Sequence, residues 1–401
     1  MNFEILICGS DVNAYYMARC AHEAYGIKSY MLIKDKLVFT TCSNIINHIY
    51  NPDIWNEDGF VKAVNDFCKE KKDRKVVVIS SNETYGQFLV KNKNSFEDNL
   101  LFNYPNLDIF ENLINKERFY KNYSNMGLYF PKTIYYKKGD NFSFDSLTFP
   151  VIVKPANVVL FNHIDFLGKK KIYKIKSMDE LTETIKILNN SGYDDTVIVQ
   201  EFIPGDDSHL FDSVVYCGKD GKVKLVSFAQ IGLQEHNPNM VGNAAVLING
   251  FDTFETDKNE IKESIVSFME KIHFRGFAEF DLKYDERDGK FKVLEINARQ
   301  GRCSYYIAQC GLNLVKIFVD DLVNGKCKNY GFIDNKVMLT FVNKKIIKKY
   351  IKNDKFKKEA LKMYRVSVNP LVYKKDMSLK RRFYLFKRLL NYKKSYKKFK
   401  W

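Results

Sequence analysis

The sequence predicts an α/β chain with an α+β core: an open parallel sheet at the N-terminus, a core built around an acidic hairpin, and a basic helical C-terminal tail. Three observations carry this. Over the first 115 residues short apolar strands alternate with helical patterns, as a parallel sheet requires. Ala278–Tyr284 and Phe291–Ile296 then flank the polar, glycine-ended stretch Asp285–Gly289, which is the pattern of an antiparallel hairpin. Finally, residues 326–401 hold 25 Lys or Arg against four acids, so the net charge of +16 belongs to the tail and the body is mildly acidic.

A chain of 401 residues is long enough for two or three packed units. No apolar run reaches the length of a membrane span, and MNFEILICGS reads as a strand rather than a basic signal peptide. The eight cysteines are scattered without a CxxC pair, which fits reduced thiols in a cytosolic protein and argues against a zinc site. Because the basic residues cluster in the tail, nucleic acid is a poor candidate partner for the body.

Taken in order, Phe3–Cys8 is a buried strand, Gly9-Ser10-Asp11 a turn and Val12–Tyr25 a helix; Lys28–Ile33 and Lys75–Ser80 are further strands around a helix near Val61–Cys68. CGSDVNAY is not GxGxxG, so a dinucleotide site is poorly supported. Phe110–Tyr123 reads as one helical stretch carrying Lys116. In FPVIVKPA, Lys154 emerges at the end of a buried strand before Pro155 stops the ladder, where it can hold phosphates as a point charge. In VIVQEFIPGDDS a strand runs into Glu201-Phe202-Ile203 and a Pro-Gly turn. A strand edge there can offer N–H and C=O to a purine, and Asp207 can accept from ribose hydroxyls. The plainer alternative is an ordinary strand and turn.

The hairpin is the most informative stretch. Antiparallel pairing brings Asp281 near Glu295, while Glu295 and Asn297, two apart, share one face. Such an oxygen cluster suits a hard cation such as Mg2+, with phosphate oxygens and water completing the octahedron. A solvated acidic strand face is the alternative. Arg299 and Arg302 follow, placed either to stabilise a transferring phosphoryl group or merely to pair with Asp281 and Glu295.

These parts, in this order, resemble the ATP-grasp superfamily of carboxylate–amine ligases. EAYG at Glu23, INK at Ile114, FPVIVKPAN at Phe149, VQEFIPGDDS at Val199, GFAEFDLKYDERDG at Gly276, LEINARQGR at Leu294, GLNL at Gly311 and NPLVYK at Asn369 narrow the resemblance to bacterial D-aspartate ligases. The resemblance implies an ATP-grasp fold with a Rossmann-like domain at 1–115, a lid at 116–200, a core with the metal site at 201–325 and a basic extension at 326–401. It implies ATP and Mg2+ as cofactors, with Mn2+ as the alternative ion. Lys116 and Lys154 would meet the phosphates, Glu201, Phe202 and Ile203 the adenine, Asp207 the ribose, and Asp281, Glu295 and Asn297 the metal. Arg299, with Arg302 beside it, would stabilise an acyl phosphate.

Two departures stand out. Relatives carry a glycine- and serine-rich phosphate loop, whereas Asn157–Lys171 holds only Gly168, leaving Lys169 to Lys171 to compensate electrostatically. The D-alanine ligase branch has an arginine two residues before the metal aspartate, where this chain has Glu279, so the task falls to Arg299. The implied reaction joins an amino-acid carboxylate, D-aspartate, to an amine-bearing peptide precursor, the lysine side chain of peptidoglycan synthesis. A ligase for another acid, or a non-catalytic membrane-associated binding protein on the same fold, would keep these motifs. The polar stretch Gln230–Asn243 is the candidate acceptor-facing loop.

In the tail, Ser378–Tyr392 puts Leu379, Phe383, Phe386 and Leu390 on one helical face, with basic residues around the rest. Such a helix can pack on the body or lie on a membrane surface with affinity for anionic lipid, nucleic acid being a weaker third reading without a recognised motif. The expectation is partial packing with surface electrostatics in a cytoplasmic protein, peripheral to the inner membrane face in the second reading. The chemistry assigned above ends at Arg302, so the tail is expected to supply no catalytic group.

Overall fold

The structure, a computed structural model, describes residues 1–140, 147–157, 160–161, 163–170, 172–237, 240 and 242–399. Its first sheet is made of Phe3–Cys8 (β1), Ser29–Ile33 (β2), Ile46–Tyr50 (β3), Lys75–Ser80 (β4) and Leu100–Leu101 (β5), all parallel in the order β3-β2-β1-β4-β5. The continuous apolar runs of β1 and β4 are what a strand covered on both faces requires. Strand order reverses between β1 and β4. Their C-terminal ends carry Gly9-Ser10-Asp11 and Ser81-Asn82-Glu83, at the switch point where open α/β sheets form their crevice.

A second, antiparallel sheet joins Thr133–Tyr136 (β6), Val151–Pro155 (β7), Tyr173–Ile175 (β8) and Val197–Glu201 (β9) in the order β6-β9-β7-β8, with its own core around Val151, Val153, Leu181 and Val199. The central sheet comprises Leu210–Cys217 (β10), Val223–Ser227 (β11), Ala229–Gln234 (β12), Ala244–Asn249 (β13), Gly276–Asp285 (β14), Lys290–Asn297 (β15), Gly331–Ile333 (β16) and Val337–Thr340 (β17). Its main path runs β15-β14-β10-β12-β13-β17, with β11 on β10 and β16 beside β11. Period-two alternation splits β10 between two cores. Phe211 and Val215 face one with helix Asn259–Lys271, whereas Val214 and Tyr216 face the other with helix Leu314–Leu322.

One sequence reading is corrected here. Phe110–Tyr123 is not one helix but two, Leu107–Ile114 and Lys116–Tyr123. They break at Asn115, whose side chain accepts from the Arg118 N–H and caps the second helix, which places Lys116 at its first residue.

The tail helix, Leu379–Lys398, does pack on the body, but not through its apolar stripe. Leu379, Phe383, Phe386 and Leu390 are 84, 60, 58 and 42% exposed, while Arg381, Tyr392 and Tyr396 are buried. Arg381 stacks 3.8 Å over the Tyr15 ring and donates to the carbonyls of Phe39 and Leu371. The nearby Asp376 accepts from Tyr15, Ser43 and the Asn44 N–H at 2.9, 2.7 and 2.6 Å. Long side chains with polar ends bury their stems when partners meet the ends. Among the described residues no helix is long and apolar enough to cross a membrane.

Candidate functional site

A cleft of about 430 Å³ opens between the second sheet and the central one. Lys116, Lys154, Glu201, Phe202, Ile203, Asp207, Asp281 and Glu295 all line it, so eight of the twelve sequence candidates converge there.

The hairpin sets the acidic wall. β14 and β15 pair Asp281 with Glu295 and Glu279 with Asn297, and Gly289, at φ +69°, closes the turn. A bulge next to Asp281 leaves Leu294 without an opposite residue, and its carbonyl accepts from the Tyr120 hydroxyl. Burial, together with the charges of Glu279, Glu295 and Asp212, pushes the Asp281 carboxyl well above the usual carboxylate range. A cation held there would relieve that repulsion. Among the described residues no group of three or more His, Cys, Asp or Glu is arranged to hold an ion by itself. Asp281 and Glu295 alone would leave an incomplete shell, which fits a hard ion that arrives with phosphate oxygens and keeps water; Asn297 lies off the cleft lining, 3.4 Å from Glu279.

Opposite stand the lysines. Lys116 Nζ meets Glu295 Oε2 at 2.6 Å; burial opposes its charge, but Glu295, with Tyr120 and Asp281, holds the ammonium above its ordinary pKa. Lys154 Nζ donates to Gln200 Oε1 at 3.0 Å and to the Tyr120 hydroxyl at 3.2 Å, so one tyrosine ties the Leu294 bulge to Lys154.

At the other end of the cleft, the Phe202 N–H donates to the Pro150 carbonyl, and the Phe202 ring lies 3.7 Å from Lys174 Nζ and 4.9 Å from Lys283 Nζ. Burial pushes the Lys283 ammonium down to about 8, against the attraction of Asp207. Glu201 accepts the Lys132 N–H at 2.8 Å and pairs with Arg287 at 3.0 Å. Asp207 accepts from the Gln234 N–H and from its side-chain amide, each at 2.8 Å.

The chain after Asn297 bends around Glu279. Asn297 Nδ2 lies 3.4 Å from Glu279 Oε2 and Arg299 Nη1 lies 3.1 Å from it, and a Cβ on Gly301 would collide with the same carboxylate. Arg299 Nε also meets Glu83 Oε1 at 2.8 Å, which bridges the first sheet's switch point to this arc. Arg302 Nη2 meets Glu235 Oε1 at 2.6 Å. Among the described contacts, then, the ion-pair partners of the two arginines are Glu83, Glu279 and Glu235, not Asp281 or Glu295. Lys169 donates to the Ile164 carbonyl and lies 3.4 Å from Asp165, within its own loop and off the cleft lining; Lys171 is outside the described residues.

Several residues of the site escape sequence reading. Lys283 shares the Asp281 face at a spacing of two, and Gln200 sits two before Phe202; that period could have found both. Tyr120, Glu83 and Glu235 carry no such local signal.

No family model matches the chain. It is 32% identical to the D-aspartate ligase of Enterococcus faecium (strain Aus0004) over 409 aligned positions, covering 98% of this chain and 96% of that protein. Among solved structures it is similar to the L-amino acid ligase from Bacillus licheniformis, with a TM-score of 0.60 and 18% identity over 82% of this chain and 78% of that one. It is also similar to the biotin carboxylase domain of Hydrogenobacter thermophilus 2-oxoglutarate carboxylase, in complex with MgADP, ADP and bicarbonate. There the TM-score is 0.59 and the identity 14%, over 84% of this chain and 73% of that one.

Proposed function

The chain belongs to the D-aspartate ligase family of ATP-grasp, ATP-dependent carboxylate–amine ligases, and from that premise we propose that it joins D-aspartate to the lysine side-chain amine of a peptidoglycan precursor. The observation that carries this is one cleft with Asp281 and Glu295 facing Lys116 and Lys154, in a chain related to a D-aspartate ligase over nearly its whole length. The proposed division of work gives residues 1–115 to substrate binding, 116–200 to a lid, 201–325 to the catalytic core and 326–401 to a basic extension.

In this reading Lys116 and Lys154 hold the ATP phosphates, the Glu201–Ile203 backbone holds adenine and Asp207 the ribose. Asp281, Glu295 and Asn297 would hold Mg2+, or Mn2+ with the same oxygen donors. The ion's contribution is to neutralise phosphate charge. The substrate carboxylate oxygen attacks the γ-phosphorus and ADP leaves. The amine then attacks the acyl carbon, loses a proton, and phosphate departs with one former carboxylate oxygen. Arg299 and Arg302 stabilise the acyl phosphate. The chain's task is to position and to balance charge; it makes no covalent bond to substrate. A phosphate-release screen of D- and L-amino acids with a lysine-containing cell-wall peptide tests the substrates. Release should require both D-aspartate and the peptide; a response to another acid alone would replace D-aspartate.

The exposed tail stripe supports a second part of the proposal: a cytoplasmic protein that docks on the anionic inner face of the membrane. The helix Leu379–Lys398 contains no acid, and its four exposed apolar residues lie among lysines and arginines. Each basic residue near such a surface contributes about 1 kcal/mol. Phe383→Glu with Phe386→Glu should abolish co-sedimentation with phosphatidylserine vesicles at low salt without lowering phosphate release on soluble substrates. Equal sedimentation of both proteins would remove the membrane from the account.

A further inference from the structure

The tail helix grips three consecutive residues at the end of β12, and two of these hold side chains assigned to the site. Tyr396 donates its hydroxyl proton to the Gln234 carbonyl. Tyr392 donates to Glu235 Oε1 at 2.7 Å, and the Phe399 carbonyl, just past the helix, meets His236 Nδ1 at 3.0 Å. Gln234 passes the first contact on through its two hydrogen bonds to Asp207. Glu235 passes on the second, since the same Oε1 that takes the Tyr392 proton pairs with Arg302, and Arg302 Nη2 also donates to the Tyr392 oxygen at 3.0 Å.

Glu235, Tyr392 and Arg302 are 5, 6 and 8% exposed. Arg302 Nε and Nη1 nevertheless have no hydrogen-bond partner. Arg388 Nη2 lies 3.3 Å from the Tyr392 oxygen, so two guanidinium groups meet at that hydroxyl while the carboxylate of Glu235 pairs with Arg302. Unspent donors on a buried cation beside an unbalanced positive charge are set to receive an anionic group.

We propose that Tyr392 and Tyr396 are positioning residues of the active site: Tyr392 orients Arg302 through Glu235, and Tyr396 orients Asp207 through Gln234. The tail thereby fixes the side chain assigned to the acyl phosphate and, through Gln234, the cleft-lining carboxylate assigned to the ribose. This rests on the ligase reading above.

Tyr392→Phe and Tyr396→Phe in the full chain remove only hydroxyls and are read by steady-state phosphate release and thermal melting. Tyr392→Phe should lower kcat about tenfold with the KM for ATP nearly unchanged, as the loss of one hydrogen bond to a charged group implies. On an Arg302→Lys background it should add nothing further, because the two residues act as a unit. Tyr396→Phe should instead raise the KM for ATP and weaken ADP binding about fivefold, with a smaller change in kcat. The proposal is overturned by an unchanged kcat in Tyr392→Phe, by effects of Tyr392→Phe and Arg302→Lys that multiply, or by losses in kcat and KM that simply follow a fall in melting temperature. If the wild type releases no phosphate with any acid and amine, the ligase reading fails instead. ADP affinity still reads the Tyr396 arm, and an unchanged affinity overturns that arm.

Discussion

Glu295→Gln should lower turnover about a thousandfold at saturating Mg2+, the upper end of what loss of one preorganised electrostatic contact costs. The amide keeps the shape of the side chain and removes its charge. Two things follow in this site. Lys116 loses the carboxylate that holds its partly buried ammonium in place, and the proposed ion loses one of two anionic ligands. Stability should move little, because the same change relieves the repulsion that raises the Asp281 carboxyl. Melting within a few degrees of wild type with turnover near zero is the expected pair of readings. Wild-type turnover would remove the hairpin from the chemistry.

Lys154→Ala has the second-largest expected effect. Its ammonium is buried at the end of β7, satisfied by Gln200 and Tyr120, and no solvent charge can replace it. Phosphoryl transfer should slow about a hundredfold and the KM for ATP should rise about tenfold, since charge placed on the phosphates carries much of such a reaction. Lys154→Met separates charge from packing: it refills the space, so equal losses in both variants assign the effect to the charge. An unchanged dependence of rate on ATP in both would leave Lys154 as a strand-end lysine.

What could be read from the sequence was what is local and periodic. The hairpin was legible because alternation of period two fixes which side chains share a face, and its register does pair Asp281 with Glu295. Lys154 was legible as a residue near the end of a buried strand, although the pairing runs one residue further than expected, with Pro155 opposite Val197. The alternation of strand and helix gave the parallel first sheet for the same reason.

The failures also have physical causes. The Asn115 break was hidden inside a stretch whose apolar residues keep helical spacing on both sides, and only the capping bond shows it. For the tail, an apolar stripe is the usual guide to the packed face. The packed face is instead the one where Arg381, Tyr392 and Tyr396 found carbonyls, a carboxylate and an aromatic ring from distant segments. The partners of Arg299 and Arg302, Glu83 and Glu235, lie far away in sequence, and no local pattern points to them.

The central claim is that an acyl phosphate forms on the amino acid in this cleft, and heavy oxygen tests it most directly. With ATP, the lysine peptide and D-aspartate labelled with heavy oxygen in its carboxylates, one labelled oxygen should appear in each inorganic phosphate released, in step with amide product. Phosphate carrying no label, released while amide accumulates, would show that the carboxylate never attacked the γ-phosphorus and would contradict the account.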